Sequence, residues 1–469
     1  RKTNMRYLSL LLFLLTASTG LAERPNIVLV MCDDLGYGDP KCFHDESPIE
    51  TPHLEAMASS GLRFTRFYAA APVCSPTRGS CLTGRHPYRY GIYFANVGHL
   101  KKEELTLPEL LKEQGYTTGH FGKWHLGTLT TEISDSNRGG PKNAEHFSPP
   151  RWHGYDDSFV TEAKVPTYDP MVRPKMANRQ AWDALDEDSA REAYGTRYWN
   201  HQGNEVTDNL RGDDSRIIMD RAIPFIERAV ESEQPFFAAI WFHAPHLPVV
   251  AGREHAQRYW DHGSYARNYY GCVTALDEQV GRLRASLREL GVSDQTVVWF
   301  CSDNGPEGQS GKAPGSAGPL RGRKRSLYEG GVRVPAIVEW PGTIAAGTTN
   351  AAGVTSDFLP TVLELLQLDY PDDRPLDGVS LVPVITGKAS SRSAPIGFQS
   401  AKQVAWHSGR FKLYSGDQGK KWELYDLSTD PAEKTDLAAA RPEFVKDLEK
   451  QVTAWQRSCT NSEEVSDYH

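Results

Sequence analysis

The stretch NIVLVM at residues 26–31, followed by Cys32, Asp33 and Asp34, indicates the fold. Its apolar residues run without a polar interruption and half of them are β-branched. That pattern is typical of a strand buried on both faces of a parallel sheet. Ligands of such sheets bind at the carboxyl ends of the strands. We therefore expect Asp33 and Asp34 to lie at a sheet edge, beside a ligand.

Two later segments end in the same way. The run FFAAIWF at residues 236–242 leads towards His246. The run TVVWF at residues 296–300 leads to Asp303 and Asn304. Helical patterns lie between these strands, and strands that alternate with helices are typical of α/β proteins. We predict an α/β fold with a large mixed, mostly parallel sheet sandwiched by helices.

The pattern changes past about residue 371, where short strand-like segments precede a probable helix at residues 442–455. This order predicts a smaller C-terminal subdomain, an antiparallel sheet with a helix packed on it. We place the large domain at residues 23–370 and the subdomain at residues 371–469. The predicted strands of the subdomain are residues 403–406, 411–414 and 422–425.

Residues 128–212 are rich in Pro, Gly, Asp, Arg and aromatic residues and have weak periodicity. We interpret them as long loops near the site. Their rings could pack against a sugar, although each taken singly is better explained as an anchor of the loop. The residues concerned are Trp152, His153, Tyr155, Trp182, Tyr194, Arg197, Tyr198, Trp199 and His201.

The amino-terminal segment has the pattern of a secretory signal. Three basic residues occur within the first six positions, residues 8–15 are almost wholly apolar, and Gly20 and Ala22 suit a cleavage site. The alternative is a buried N-terminal helix. We predict a signal peptide at residues 1–22, export to the periplasm or the exterior, and no transmembrane segment.

The charge balance argues against a nucleic-acid partner. The formal net charge is −8, and loss of the three basic residues of the leader would make it −11. An acidic protein binds polyanions poorly unless positive charge is concentrated at one site. The seven cysteines are scattered without zinc spacing, and their odd number leaves at least one without an intrachain partner.

Asp33, Asp34, Asp303 and Asn304 offer three carboxylates and an amide oxygen. Such hard ligands suit Ca²⁺ or Mg²⁺ rather than zinc. Gathering these carboxylates without a cation would be costly. Each pair alone could be an ordinary turn or cap, because Asp and Asn are common after strands. Taken together, they predict a divalent metal site.

Two further stretches carry reactive and basic side chains. Residues 74–84 read CSPTRGSCLTG, and residues 115–127 read GYTTGHFGKWHLG. Lys123 and His125 lie two apart and would face the same side of an extended segment, where they could bind an anion. Alone, the first stretch could hold an ordinary thiol and the second could be a basic surface loop.

These two stretches resemble the signatures of formylglycine-dependent sulfatases, the arylsulfatase-like members of the alkaline phosphatase superfamily. The first matches Cys-x-Pro-x-Arg-x-x-x-Leu-Thr-Gly, and the second matches Gly-Tyr-x-Thr followed by Gly-Lys-Trp-His-Leu-Gly. The resemblance covers nearly the whole mature chain in order. It continues at residues 245–248, 302–305, 324–333 and 424–431.

The resemblance implies that a maturation enzyme oxidises Cys74 to formylglycine during export. The hydrated aldehyde would attack sulfur with one hydroxyl, and the second would let the aldehyde re-form and expel sulfate. The cysteine without an intrachain partner would then be Cys74. The implied ligands of the metal, calcium or possibly magnesium, are Asp33, Asp34, Asp303, Asn304 and Cys74.

The family's basic groups fall on five further residues. Arg78 would hold the nucleophile and the metal ligands, and His125 would act as base for elimination. Lys123 and His246 would contact the sulfate and the leaving oxygen, and Lys324 would bind sulfate. Residues 23–370 would then be the sulfatase catalytic domain.

Some points stay open at this stage. The family's serine-type sulfate contact has no evident counterpart after residue 127. His243 could contact substrate or be a hydrogen-bonded histidine at a strand end. A phosphatase or phosphodiesterase of the same superfamily and a non-catalytic glycan-binding protein are the alternatives. The complete set of motif residues favours a sulfatase for a sulfated small molecule or glycan, with a sulfated carbohydrate preferred over an aryl sulfate.

Overall fold

The computed structural model of the chain describes residues 24–178, 181–186 and 188–468. The predicted signal peptide, residues 1–22, lies outside the described residues. Within the described ranges, no helix combines the length and the apolar character needed to cross a membrane.

Strands and helices alternate through much of the first two thirds of the chain, apart from five successive strands between residues 157 and 206. The strands are β1 (Asn26–Cys32), β2 (Leu62–Tyr68), β3 (Thr117–Lys123), β4 (Asp157–Thr161), β5 (Lys175–Asn178), β6 (Ala181–Asp183), β7 (Tyr198–Asn200), β8 (Glu205–Val206), β9 (Phe236–Trp241), β10 (Thr296–Ser302), β11 (Arg333–Glu339), β12 (Gly347–Val354), β13 (Ile396–Ser400), β14 (Gln403–Ser408), β15 (Phe411–Ser415) and β16 (Glu423–Asp426). The α-helices are α1 (Pro52–Ser60), α2 (Cys74–Thr83), α3 (Leu107–Glu113), α4 (Asp214–Glu231), α5 (Arg253–Gln257), α6 (Ser264–Glu289), α7 (Glu329–Val332), α8 (Phe358–Leu365), α9 (Val382–Ile385) and α10 (Pro442–Asn461).

Ten strands form one sheet in the order β12-β2-β11-β10-β1-β9-β3-β4-β7-β8. The five strands from β10 to β4 are mutually parallel, and β12 is parallel to β2. Strand β11 is antiparallel to both neighbours, and β7 and β8 form an antiparallel edge. The predicted large mixed, mostly parallel sheet is confirmed.

Strand β1 shows why its sequence is apolar throughout. Ile27, Leu29 and Met31 belong to the hydrophobic core on one face of the sheet. Val28 and Val30 belong to the core on the other face, with residues of α1, α4 and α6. Because helices cover both faces, the strand has no solvated side and no alternation of polar residues.

The register of the central strands places their polar ends side by side. Strands β1 and β10 pair in parallel from Asn26 opposite Thr296 to Cys32 opposite Ser302. The residues that follow, Asp33 and Asp303, therefore leave the sheet at the same level. This alignment gathers the predicted metal ligands without any long-range loop.

The predicted C-terminal sheet and helix are also present. Strands β13 to β16 form an antiparallel sheet, and apolar residues of β14–β16 pack with residues of α10. Strand β13 was not predicted. The sheet also supports the site, because the Gln403 side chain accepts a hydrogen bond from the Leu327 amide at 2.9 Å and donates one to the Arg325 carbonyl at 2.7 Å. The division of the chain at residue 370 stays a prediction.

The interpretation of residues 128–212 as long loops is wrong in part. This region supplies β4, β7 and β8 of the main sheet and the hairpin β5–β6. Several of its strands have only two or three residues, too few for a periodic pattern to be visible in the sequence. The stacked rings of Phe159 and Tyr198, with centroids 4.1 Å apart, join β4 to β7.

Candidate active site

The ends of β1 and β10 bring four polar residues into one buried cluster, the carboxylate floor: Asp33, Asp34, Asp303 and Asn304. All four side chains are inaccessible to solvent. The Asp34 amide donates to Asp303 Oδ1 at 3.1 Å, and Asn304 Nδ2 donates to Asp34 Oδ1 at 2.7 Å. The predicted metal ligands are therefore neighbours in space.

The donor atoms of the carboxylate floor fit a hard divalent cation. Among the described residues, Asp33 Oδ1 and Asn304 Oδ1 are buried without a hydrogen-bond partner. Carboxylate oxygens of Asp33 and Asp303 and the Sγ of Cys74 all lie within 4.8 Å of one another. Burial, and next the Asp33 charge, raise the pKa of Asp303 to about 7. A bound cation would relieve that like-charge repulsion.

Each carboxylate of the floor pairs with a lysine or an arginine, and Asp33 Oδ1 also lies 3.8 Å from Arg78 Nη2. Lys123 Nζ donates to Asp33 Oδ2 at 2.5 Å, and Lys324 Nζ donates to Asp34 Oδ2 at 2.8 Å.

The third carboxylate pairs with the guanidinium of Arg78. Arg78 donates to Asp303 Oδ2 through Nε and Nη2, at 3.1 and 2.8 Å. It also donates to the Lys123 carbonyl at 3.3 Å, which ties α2 to β3. Three cations therefore balance three carboxylates. Removal of any one of these cations would leave a buried carboxylate without its partner.

Cys74 lies at the first position of α2, beside the carboxylate floor. It is 2% exposed, and every residue of α2 is buried. The helix packs against residues 355–365, in the segment leading into and forming α8. Burial raises the pKa of the Cys74 thiol above its usual value. An unmodified Cys74 is therefore a protonated and poor nucleophile at neutral pH.

Two histidines complete the set of predicted groups. His125 Nε2 lies 2.7 Å from Asn96 Oδ1, an atom that can only accept, so Nε2 carries the proton and buried Nδ1 is left with a free lone pair. His246 Nδ1 lies 2.7 Å from the Leu247 carbonyl, and its Nε2 lies 3.7 Å from Asp34 Oδ2. Burial lowers the pKa of His125 far below its usual value and that of His246 to about 4.

A cleft of about 440 Å³ opens above the carboxylate floor. Cys74, Lys123, His125, His246 and Lys324 all line it, so the cleft unites the predicted nucleophile with the predicted anion-binding groups. Arg78 lies beneath, fully buried between α2 and β10.

Sequence reasoning missed five further polar residues of the cleft: Asn96, Asn137, Lys164, Glu307 and Arg325. Arg325 follows Lys324 in the chain, which is a usable signal, and it pairs with Glu307 through two hydrogen bonds of 2.7 and 2.8 Å. Asn96, Asn137 and Lys164 come from loops without a motif, so their place depends on the tertiary fold.

The aromatic residues proposed as sugar platforms do not line the cleft. Trp199 is 6% exposed and donates through Nε1 to Asp135 Oδ2 at 2.7 Å, so it anchors the segment to the core. Trp152 is partly exposed but packs edge-on against Phe147. The cleft lining therefore gives no support to a role of Trp152 or Trp199 in specificity, which stays a prediction.

Of the two roles considered for His243, the structure supports the hydrogen-bonded histidine at a strand end. It is fully buried, with Nε2 2.7 Å from Thr161 Oγ1 and Nδ1 2.8 Å from Asp214 Oδ2. Both ring nitrogens are engaged within the protein. His243 therefore braces the end of β9 rather than facing substrate.

The seven cysteines all lie in the described part of the chain, and none forms a disulfide there.

Four residues around the cleft adopt a left-handed backbone without being glycine. Their φ angles are 70° at Asp34, 63° at Asn96, 58° at His125 and 75° at Arg325. Such conformations are uncommon for residues with a Cβ and tend to occur at functional sites.

Comparison with known proteins assigns the chain to a family. The family model described as Sulfatase matches residues 25–368, and one described as N-sulphoglucosamine sulphohydrolase, C-terminal, matches residues 322–458. The chain is 34% identical to the N-acetylgalactosamine-6-sulfatase of Sus scrofa over 433 residues, covering 88% of this chain and 76% of that protein. It is 33% identical to the arylsulfatase A of Homo sapiens over 461 residues, covering 94% and 84%.

The fold agrees with these relatives. The crystal structure of Ps i-CgsB in complex with k-i-k-neocarrahexaose matches with a TM-score of 0.78 and 26% identity, covering 93% of both chains. The two sequence relatives exceed 30% identity over most of their length, and the sulfatase model spans almost all of the large domain. The chain therefore belongs to the sulfatase family and is a sulfuric ester hydrolase.

Proposed function

We propose that this sulfatase releases inorganic sulfate from a sulfated carbohydrate, with a formylglycine made from Cys74 and a divalent cation, calcium or magnesium, on the carboxylate floor. The observation that carries the proposal is the convergence of Cys74, the three floor carboxylates and their cationic partners at one cleft. The proposed location is the periplasm or the exterior, supported by the signal-like residues 1–22.

The two groups that the chain does not carry as translated would supply distinct chemistry. A cation bound to Asp33, Asp34, Asp303, Asn304 and residue 74 would supply Lewis-acid stabilisation of negative charge. Oxidation of Cys74 would supply an aldehyde whose hydrate offers one hydroxyl to attack sulfur and a second for sulfate release. A maturation enzyme must perform that oxidation.

The remaining residues of the cleft would bind, orient and move protons. Lys123 and Lys324 would bind the sulfate oxygens, and His246 with Lys123 would contact the leaving oxygen. Arg78 would hold residue 74 and Asp303 in place. His125 would accept a proton at Nδ1, because Asn96 holds its Nε2–H and leaves Nδ1 with a lone pair.

Two observations support a carbohydrate substrate. One relative acts, by its name, on N-acetylgalactosamine 6-sulfate, and Ps i-CgsB was solved with k-i-k-neocarrahexaose. A cleft of about 440 Å³ with polar residues on its walls also has room for a sugar beyond the sulfate group itself. A phosphatase of the same superfamily is not favoured, because the family assignment is to sulfatases.

The test is a panel of sulfated saccharides and a matched phosphate ester, with release of sulfate and phosphate measured separately. We expect sulfate from at least one saccharide and no comparable release of phosphate. Peptide mass spectrometry of the same active enzyme should show residue 74 as formylglycine. Active enzyme that contains only free thiol at Cys74 would refute the mechanism, and turnover that survives thorough chelation would refute the metal.

A further inference from the structure

Among the described residues, Lys164 is the one lysine of the cleft for which no ionic partner is found. Lys123 and Lys324 are each paired with a floor carboxylate at 2.5 to 2.8 Å, and Arg325 is paired with Glu307. The Lys164 ammonium has no hydrogen bond or ion pair with any other part of the chain that the structure describes. The positive charge of Lys164 is therefore not neutralised by a direct carboxylate partner in the described part of the chain.

The place of Lys164 in the fold is well defined. It lies three residues after the end of β4, and the Thr196 hydroxyl donates to its backbone carbonyl at 3.2 Å. It lines the cleft beside Ala163 and is less deeply buried than Lys324. Lys164 therefore belongs to the wall of the cleft, whereas Lys123 and Lys324 are bonded to the carboxylate floor.

The surroundings of Lys164 favour an anion. Partial burial, and next the charges of Lys123 and Lys324, lower the pKa of Lys164 below its usual value. A lysine that is partly desolvated near two other lysines gains most from a negative partner in the cleft. In the proposed mechanism, Lys123 and Lys324 bind the sulfate that is cleaved. That sulfate therefore does not account for the additional positive charge of Lys164.

We propose that Lys164 binds a second anionic group of the saccharide, a sulfate or carboxylate that is not cleaved. This inference rests on the proposed carbohydrate substrate and narrows it to saccharides with two negative groups in close reach. Lys164 is then a specificity-determining residue: it selects among sulfated sugars, while the carboxylate floor acts on the scissile sulfate.

Binding can be measured without turnover in a Cys74→Ala background loaded with calcium. Calorimetry would compare Lys164→Gln, Lys164→Arg and unchanged Lys164 against three probes: a monosulfated saccharide, its disulfated form, and its form with a neighbouring uronic acid. Lys388→Gln is the matched control, because Lys388 is exposed and far from the cleft lining.

We expect Lys164→Gln to weaken binding of a doubly charged probe about tenfold, equivalent to about 1.4 kcal/mol. The monosulfated probe should lose less than about threefold, and Lys164→Arg should restore most of the affinity. The probe with the larger loss identifies the second group as sulfate or carboxylate. Equal losses on all probes would assign Lys164 to the scissile sulfate, and no loss on any would remove the subsite; either result overturns the inference.

The outcome of the proposed function is separate. If active, matured enzyme releases no sulfate from any saccharide, the carbohydrate proposal fails whatever the calorimetry shows. If sulfate is released but Lys164→Gln changes all affinities equally, only the second-anion inference fails.

Discussion

Two of the buried clusters of carboxylates and cations in the described part of the chain differ in what surrounds them. One is the carboxylate floor of the cleft. The other, the seam cluster, consists of Glu329, Lys412, Glu433 and His407, in which Lys412 Nζ lies 3.0 Å from Glu329 Oε1 and 2.8 Å from Glu433 Oε1. All four members are at most 2% exposed.

The seam cluster joins the ten-stranded sheet to the C-terminal sheet. Tyr68 of β2 donates to Glu329 Oε2 at 3.0 Å, while Lys412 and His407 belong to the C-terminal sheet. The carboxylate floor instead follows the ends of parallel strands and opens into a cleft with histidines and an unpaired lysine. Buried charge alone therefore does not identify a site; the carboxylate floor differs because its lysine partners line a cleft together with Cys74 and two histidines.

Of the changes considered, the largest loss of activity is expected from substitution of Asp303 in the carboxylate floor. Asp303→Asn keeps an acceptor for Arg78 but removes one charge of the carboxylate floor. We expect kcat/KM to fall about 1,000-fold, a loss of about 4 kcal/mol of transition-state stabilisation, with bound metal reduced. Asp294→Asn, an exposed change before the same strand, is the control. Full activity with full metal content would contradict the assignment.

A smaller effect on turnover is expected at Asn96. Asn96→Asp places a negative charge beside His125 Nε2 and raises the pKa of His125. Because a base must be neutral, the acid limb of the kcat profile should move to higher pH, with about tenfold lower activity on that limb and recovery above it. An unshifted profile would show that His125 is not the base. Asn350→Asp, at an exposed position, serves as control.

Substitution in the seam cluster should lower the stability of the protein and leave its turnover nearly unchanged. Lys412→Met leaves Glu329 and Glu433 buried without their shared cation, and loss of one partner costs about 3–5 kcal/mol of unfolding free energy. Urea unfolding should report that loss, while kcat of the folded enzyme at 25 °C stays within about twofold. Lys402→Met, at an exposed position in the turn between β13 and β14, should change neither. A large fall in kcat with unchanged stability would make the seam part of the active site.

The smallest effect on turnover is expected at Trp199. Trp199→Phe removes the indole donor and leaves Asp135 Oδ2 unpaired, at a cost of about 1–3 kcal/mol of stability. The ratio of activity on a saccharide sulfate to activity on an aryl sulfate should not change. A selective loss on the saccharide would restore a role for this aromatic residue in specificity.

The sequence predicted the floor and missed the walls for one physical reason. Asp33 and Asp303 directly follow apolar strands whose character and parallel pairing are visible in the chain, so their meeting point follows from the fold class. Asn96 and Lys164 reach the cleft through loops, and a loop path depends on contacts between distant residues. The burial of Trp199 was not predicted for the same reason, because a ring buried in a three-residue strand leaves no periodic signal.

The burial of Cys74 would set a time limit on its proposed oxidation. In the folded protein α2 is wholly buried and packs against residues 355–365. If Cys74 is oxidised as proposed, the modifying enzyme would have to reach it before that segment is in place. About 280 residues separate Cys74 from Thr355, and at roughly 5–20 residues per second a ribosome needs about 15–60 s to make them. Faster synthesis or slower modification would then yield well-folded chains that retain an unmodified Cys74 thiol.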